Sequence, residues 1–181
     1  PLDGARGAHP AGHVLPASVD DFERRQDAAG GRIVLVTLAP EAPGALALIE
    51  HLVGRGVREG LGHTAATSAL IEDAVRAGAT LSTHLGNGCA TTLDRHENPI
   101  WAQLAADGLS ASFVADGMHL PPAVLKAMVR AKGAGRSLLV TDAMAAAAAP
   151  PGRFRLGELD LERDADGRVG LPGTGHLAGS A

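Results

Sequence analysis

The chain has 181 residues, of which 45% are hydrophobic and 20% charged, and its formal net charge is −4. This length suffices for one domain with a substantial core, or for part of a larger one, and the negative charge offers no general attraction to nucleic acid or to anionic membranes. The single cysteine, Cys89, cannot form an internal disulfide, which favours a reducing cytoplasm. No apolar run approaches the roughly 18 residues of a membrane span, and the first ten residues lack the features of a signal peptide, so we expect neither an anchor nor a leader.

Apolar runs and amphipathic segments alternate along the chain from residue 31 onward. Residues 32–40 form a short continuous apolar run that ends in proline, a pattern typical of a strand buried on both faces. The next segment, 42–56, has a stripe of apolar residues at helical spacing, formed by Ala45, Leu48, Ile49, Leu52 and Val53. The sequence therefore predicts a strand followed by a helix.

The same alternation repeats three more times and ends on a strand. Strands are predicted at 57–63, 79–84, 109–116 and 137–143, and helices at 67–78, 98–108 and 121–133. Thr67 and Asn98 are the expected N-caps, Gly78 the expected C-cap, and Pro99 the first residue of its helix. Residues 153–171 change to an alternating pattern with the turn "DADGR", which predicts a small antiparallel hairpin.

Five strands separated by four helices indicate parallel βα units. No glycine fingerprint for a dinucleotide follows a strand, which disfavours a doubly wound sheet. Polar side chains instead stand at the carboxyl ends of the predicted strands: Glu41, His63, His84, Asp116 with His119, and Asp142. That clustering is typical of a (β/α)8 TIM barrel, and because a complete barrel needs about 250 residues, we expect part of one.

His63 and His84 are the strongest candidates for metal ligands. They end neighbouring strands, and two neutral imidazoles suit Zn²⁺ or Fe²⁺, although a catalytic site normally needs a third protein ligand. The alternative is a pair of structural histidines with satisfied hydrogen bonds. Their register at adjacent strand ends favours the metal site.

Asp142 closes the last strand with a carboxylate. Such a group can take the proton of a metal-bound water as that water attacks a carbonyl, and then return it to the leaving amine. Alternatively, Asp142 is a helix N-cap, since "DAMAAAAA" could continue as a helix.

Further polar residues suit an anionic, polyol-like substrate. Asn87 and His119 can supply hydrogen bonds, and Arg95, in a loop rich in glycine and threonine, suits a phosphate. Taken singly, each is better interpreted as a solvated loop residue. Glu41 is either a ligand or the cap of the following helix, and we favour the cap.

Taken in order, "GARGAHP" (4–10), "TLAPE", "GHT", "THLGNG", "VADGMH" and "VTDA" resemble N-acetylglucosamine-6-phosphate deacetylases, a branch of the metal-dependent amidohydrolase superfamily. The resemblance implies that the predicted strands are barrel strands four to eight. It divides the chain into an active-site loop and lead-in (1–30), βα units (31–150), and a small-domain hairpin with the return to the barrel (151–181). It also implies a cytoplasmic enzyme, a homodimer when full length, that acts on a small amino-sugar phosphate.

The resemblance also assigns site residues. His63 and His84 become metal ligands for one or two divalent ions, and Asp142 the catalytic acid–base. The substrate contacts fall on Ala8, Asn87, Gly88, Arg95, Asp116 to His119, and Leu177, Ala178 and Gly179.

Two departures from the family pattern bear on these assignments. The family's third ligand is a glutamate just upstream of "GARGAHP", before Pro1, so we expect this stretch alone to be inactive. The family commonly has Asn-Ala-Met where this chain has Asn87-Gly88-Cys89. We expect that change to affect the sugar and to leave the metal site alone.

Two other functions remain open from the sequence. One is an amidohydrolase acting on a different N-acyl sugar or a cyclic amide, which a substrate panel would separate. The other is a non-catalytic sugar-phosphate-binding protein or an inactive truncated product, which the sequence upstream of Pro1 would separate.

Overall fold

A computed structural model describes residues 4–180 as two sheets and five α-helices. The strands are β1 (Leu35–Leu38), β2 (Arg58–Leu61), β3 (Leu81–Ser82), β4 (Ser110–Val114), β5 (Ser137–Val140), β6 (Gly152–Leu156), β7 (Leu159–Arg163) and β8 (Val169–Gly170). The helices are α1 (Val19–Ala28), α2 (Ala45–Gly54), α3 (Ser68–Ala77), α4 (Pro99–Ala105) and α5 (Pro122–Lys132). None of these described helices is long and apolar enough to cross a membrane.

Side chains satisfy free backbone N–H groups at the start of α3 and α4. Thr67 Oγ1 accepts a hydrogen bond from the backbone N–H of Leu70, and Asn98 Oδ1 accepts from two N–H groups in the first turn of α4. Gly78 ends α3 in the left-handed conformation, with φ of 113°. These predicted caps are confirmed.

Strands β1 to β5 form one parallel sheet in which every strand neighbours the next one along the chain. The helices pack in the same order, each against the next. The core between the layers is apolar, with Ile49, Leu61, Ile71 and Leu109 in one cluster and Phe113 and Met128 in the next. This consecutive order is that of a barrel, so the predicted partial (β/α)8 TIM barrel is confirmed, and all five strands end at one edge of the sheet.

The prediction that residues 32–40 are buried on both faces is wrong. Strand β1 is shorter, and Val34, just before it, is 71% exposed; at the opposite edge of the sheet, Leu139 in β5 is also 71% exposed. Each of these strands has one neighbour among the described residues, because β1 pairs only with β2 and β5 only with β4. Their apolar side chains therefore lack the second neighbour that a closed barrel provides.

The second sheet is antiparallel and has three strands, β6 to β8, where the sequence predicted a hairpin. Leu161 and Val169 are fully buried against Ala146, which lies in the turn after β5. Past β8, the chain returns to the parallel sheet through a bridge between Ala143 and Ser180. The small sheet and the return segment are thereby attached next to Asp142.

Candidate active site

His63 and His84 follow β2 and β3, and the structure brings their rings together. Their Nε2 atoms are 3.1 Å apart, and the rings meet edge to face with centroids 4.8 Å apart. Two nitrogen ligands of a tetrahedral metal, each at roughly 2.0–2.1 Å, lie about 3.3 Å from each other. The spacing of the pair therefore fits two ligands of one ion.

The surroundings of the two rings leave both Nε2 atoms available. His63 Nδ1 donates to the carbonyl oxygen of Ala5 at 3.0 Å, which places the lone pair on Nε2. The backbone N–H of His84 donates to Ser112 Oγ at 2.8 Å, while His84 Nδ1 is buried without a partner in the described part of the chain. Within residues 4–180 no third His, Cys, Asp or Glu joins the pair as a ligand group.

Electrostatics also favour the ligating form of His63. Burial, followed by the neighbouring His84, lowers the pKa of its imidazole to about 4, against the hydrogen bond to Ala5 and the charge of Asp142, which act to raise it. A neutral imidazole is the form that binds a metal ion.

The backbone at the site is strained. Four non-glycine residues in the described range have positive φ, and three of them are His63 (51°), His84 (32°) and Asp142 (53°). Such conformations cost on the order of 1–3 kcal/mol and cluster at functional sites. The strain thus coincides with the three residues assigned to metal binding and proton transfer.

Glycines pack directly against the histidine pair. A Cβ on Gly88 would lie 2.9 Å from His63 N and 3.0 Å from His84 Cε1, and one on Gly7 would lie 3.2 Å from His63 Cε1. The Asn87-Gly88-Cys89 change therefore lies against the histidine pair, and the expectation that it leaves the metal site alone stays a prediction. Gly88 contacts both candidate ligands.

Asp142 lies just beyond β5 and is exposed. Residues 145–148 form a turn and not a helix, so Asp142 is not a helix N-cap. Its negative charge acts to raise the pKa values of His63 and His9, against the burial that lowers them. The run of alanines after Asp142 suggests a helix, but these residues form a turn that packs against the small sheet, where Ala146 is fully buried.

The return segment lies against Asp142. Ser180 N donates to the backbone carbonyl of Asp142 at 2.8 Å, and a Cβ on Gly179, where φ is 119°, would lie 2.9 Å from that same oxygen. The segment that contains Leu177, Ala178 and Gly179 is thereby held beside the candidate catalytic residue.

Asp116 and His119 form a second polar group after β4. The Asp116 carboxylate accepts from His119 Nδ1 at 2.6 Å, from Ser180 Oγ at 3.1 Å, and from the backbone N–H groups of Met118 and His119. Burial acts to raise the pKa of Asp116, but the hydrogen bonds from His119 and Met118 outweigh it and lower the pKa to about 2. Asp116 therefore orients His119 and leaves its Nε2 for a ligand.

An open cavity of about 340 Å³ borders this group. Its wall includes Asp116, Thr141 and Ser180. Thr141 immediately precedes Asp142 in the loop after β5, so the cavity borders the residue next to the candidate catalytic carboxylate. Leu139 and Val140 also line it, so the cavity opens along the edge of the sheet where β5 has no second neighbour among the described residues.

The remaining predicted contacts differ in position. Asn87 closes the loop after His84, donating to the carbonyl of His84 from both its backbone N and its side-chain Nδ2. Arg95 is exposed, and within residues 4–180 its guanidinium makes no hydrogen bond or ion pair with the histidine pair. Ala8 is half-buried in the loop that follows Ala5 and Gly7.

His9 is a candidate site residue that sequence reasoning missed. Its ring meets the ring of His63 edge to face, with centroids 4.5 Å apart, and burial followed by the charge of His84 lowers its pKa. The only sequence feature that could have pointed to His9 is its position in the motif "GAHP" (7–10), beside the predicted contact Ala8. Residues around it have no periodicity, so the pattern gave no reason to choose it.

Glu41 does not have the predicted role of cap for α2. The N-cap of that helix is Gly44, with no side-chain hydrogen bond. The Glu41 carboxylate instead accepts hydrogen bonds from Thr64 and Ala65, the two residues that follow His63.

No protein-family model matches the chain. Curated relatives do: the chain is 38% identical over 174 residues to N-acetylglucosamine-6-phosphate deacetylase of Bacillus subtilis, covering 96% of this chain and 43% of that protein. It is also 38% identical over 185 residues to the human enzyme of that name, covering 97% of this chain and 44% of that protein. The chain thus spans a little under half the length of these relatives.

Solved structures agree with this similarity. N-acetyl-D-glucosamine-6-phosphate deacetylase of Mycobacterium smegmatis, a mutant in complex with N-acetyl-D-glucosamine-6-phosphate, superposes with a TM-score of 0.92 at 37% identity, over 97% of this chain and 46% of that one. The Thermotoga maritima enzyme superposes with a TM-score of 0.87 at 29% identity. Over nearly all its length, the chain is thus related in sequence and in fold to a part of the N-acetylglucosamine-6-phosphate deacetylase family.

Proposed function

We propose that the full-length protein containing this chain is a metal-dependent hydrolase that removes the acetyl group from N-acetylglucosamine 6-phosphate. The observation that carries the proposal is the pair of Nε2 atoms of His63 and His84, 3.1 Å apart at two neighbouring strand ends. The similarity to deacetylases of that name, one of them solved with this sugar phosphate, supports the substrate.

His63 and His84 would hold a divalent ion, Zn²⁺ or Fe²⁺, as two of its protein ligands, and the protein would bind one or two such ions. When bound, the metal would supply a Lewis acid for the acetyl carbonyl and a water of lowered pKa. His63 is prepared for this role because its Nδ1 is already held by Ala5. The third ligand is expected from the segment upstream of Pro1.

Asp142 would act as the general base and then as the general acid. Its exposed carboxylate would accept a proton from the attacking water and deliver that proton to the leaving amine of the sugar. His9, beside His63, would lie close enough to contact the acetyl group.

The sugar phosphate would contact three groups of residues. His119, oriented by Asp116, would bind the ligand through Nε2, and the loop of Asn87 and Gly88 would approach the sugar ring. Arg95 would neutralise the phosphate. Ala8 and the return segment (177–179) would complete the contacts.

The arrangement of the whole protein is also a proposal. We propose a cytoplasmic homodimer. Residues 1–30 would form an active-site loop and lead-in, 31–150 the βα units, and 151–181 the small-domain sheet with the return to the barrel. The bridge between Ala143 and Ser180 supports the last of these boundaries, because it returns the chain to the parallel sheet.

Acetate release by the full-length, metal-loaded protein tests the proposal. We expect turnover of N-acetylglucosamine 6-phosphate and a much lower kcat/KM for N-acetylglucosamine. Equal kcat/KM values for the two sugars would remove the role of Arg95 and favour an amidohydrolase for a different N-acyl sugar. Tight binding of the sugar phosphate without acetate release would favour a non-catalytic binding protein.

A further inference from the structure

We propose that Glu41 is a positioning residue that fixes the metal-binding conformation of His63 from the neighbouring strand end. The proposal rests on the proposed metal site and is independent of the substrate. It assigns a role that is neither ligand nor helix cap.

The contacts of Glu41 are directed at the two residues that follow His63. Its Oε2 accepts from Thr64 Oγ1 at 2.5 Å and its Oε1 accepts from the backbone N–H of Ala65 at 2.8 Å. Thr64 is 2% exposed, whereas Glu41 and Ala65 are half-buried, so the bonds are partly shielded from water. A carboxylate that accepts two such bonds forms the stronger, charge-assisted kind.

His63 needs this support because its backbone is strained. With φ of 51°, the residue turns the chain sharply at the end of β2. A conformation of this kind persists only where the surroundings fix it. Thr64 N donates to the carbonyl of Gly88 at 3.0 Å, and Glu41 secures the other side of the turn.

The ring and the backbone of His63 are thus held separately. The carbonyl of Ala5 fixes the direction of the imidazole, whereas Glu41 fixes the backbone from which the ring projects. If the turn relaxed, Nε2 would move away from its 3.1 Å position opposite His84 Nε2. Partners beyond the ligands themselves typically change metal affinity by about 10–100-fold when removed.

Zinc affinity of the full-length protein tests the inference, measured by competition with a chromogenic chelator without any substrate. We expect Glu41→Ala to weaken Zn²⁺ binding about 10–100-fold. Glu41→Gln should recover most of the loss, because its carbonyl oxygen can accept from Ala65 and its amide can donate to the Thr64 hydroxyl. Thr64→Val should weaken binding and Thr64→Ser should not.

Glu97 provides a matched control. Its Oε1 also accepts a backbone N–H bond, from Ser68 at 2.8 Å, at the start of the helix that follows His63. Glu97→Ala removes a similar bond and should leave Zn²⁺ affinity unchanged, because it does not contact the turn at His63.

Wild-type zinc affinity in a folded Glu41→Ala variant would overturn the inference, as would equal losses in Glu41→Ala and Glu97→Ala. If Glu41→Ala does not fold, Thr64→Val decides: wild-type affinity there refutes the role, and a loss that Thr64→Ser does not share supports it. A wild-type protein that binds zinc but leaves N-acetylglucosamine 6-phosphate intact would contradict the proposed function and not this inference.

Discussion

Glu59 is a carboxylic acid placed where a strand should be apolar, and replacing it should stabilise the protein. Its side chain in β2 is fully buried, and both carboxyl oxygens lack a hydrogen-bond partner in the described part of the chain. Burial raises the pKa of Glu59 from its ordinary 4.5 to about 8. We predict that Glu59→Met, which keeps the length of the side chain and removes its polar atoms, raises the free energy of unfolding.

The size of the effect should depend on pH. Because the pKa of Glu59 is higher in the folded protein than in the unfolded chain, the folded state is favoured by protonation, and that advantage is lost as the pH rises from about 4.5 to about 8. A shift of this size corresponds to about 5 kcal/mol at ~1.4 kcal/mol per pH unit. Below this window, Glu59→Met should still gain about 1–3 kcal/mol, since a neutral carboxyl buried without a partner is itself unfavourable.

Urea unfolding followed by circular dichroism at several pH values between 4.5 and 8.5 measures this gap. We expect the difference between Glu59→Met and wild type to widen by several kcal/mol across the range. Glu50→Met, an exposed site on α2, is the control and should show no such widening. A constant difference between Glu59→Met and wild type, or a Glu59→Met variant less stable at every pH, would refute the reasoning.

Three further predictions concern other residues. In the full-length protein, Asp142→Asn should keep its metal, measured by elemental analysis, while kcat falls about 10²–10⁴-fold; metal loss would show that Asp142 is a ligand. Asp116→Asn should place an amide N–H opposite His119 Nδ1 and so reverse the tautomer of the imidazole, which ¹⁵N NMR spectra would report. We expect KM to rise about tenfold, the equivalent of ~1.4 kcal/mol. An unchanged tautomer would contradict the orienting role of Asp116. Lys132→Met should lower the free energy of unfolding by about 1–3 kcal/mol, because buried Lys132 Nζ donates to the carbonyls that end α4; an unchanged urea midpoint would contradict this.

The order of elements could be predicted from the sequence because its signals are local. Caps such as Thr67 and Asn98 act within one helical turn, and apolar spacing marks the face of each helix. Exposure of β1 and β5 could not be predicted in this way, since it depends on which strands lie beside them. A continuous apolar run indicates only what a complete sheet would bury.

Candidate site residues could be chosen from the sequence where the residue type itself indicates the chemistry. They could not be chosen where the role depends on contacts in the folded chain. His63 and His84 could be chosen because paired imidazoles at neighbouring strand ends of a barrel are typical of metal ligands. The position of Gly88 depends on the space around a missing Cβ, against the backbone of His63 and the ring of His84. The role of Glu41 behind His63 depends on a contact with Thr64, 23 positions away in the sequence. No sequence pattern reports such distances.

The positive φ angles of His63, His84 and Asp142 affect how the protein should be inactivated on purpose. Alanine at these positions would remove the functional group and also leave a residue that disfavours this backbone region, so lost activity and altered loop shape would be mixed in one measurement. Asparagine adopts positive φ several times more often than most residues. Asn replacements at the two histidines and at Asp142 are therefore the better choice for trapping ligands in an inert but correctly shaped site.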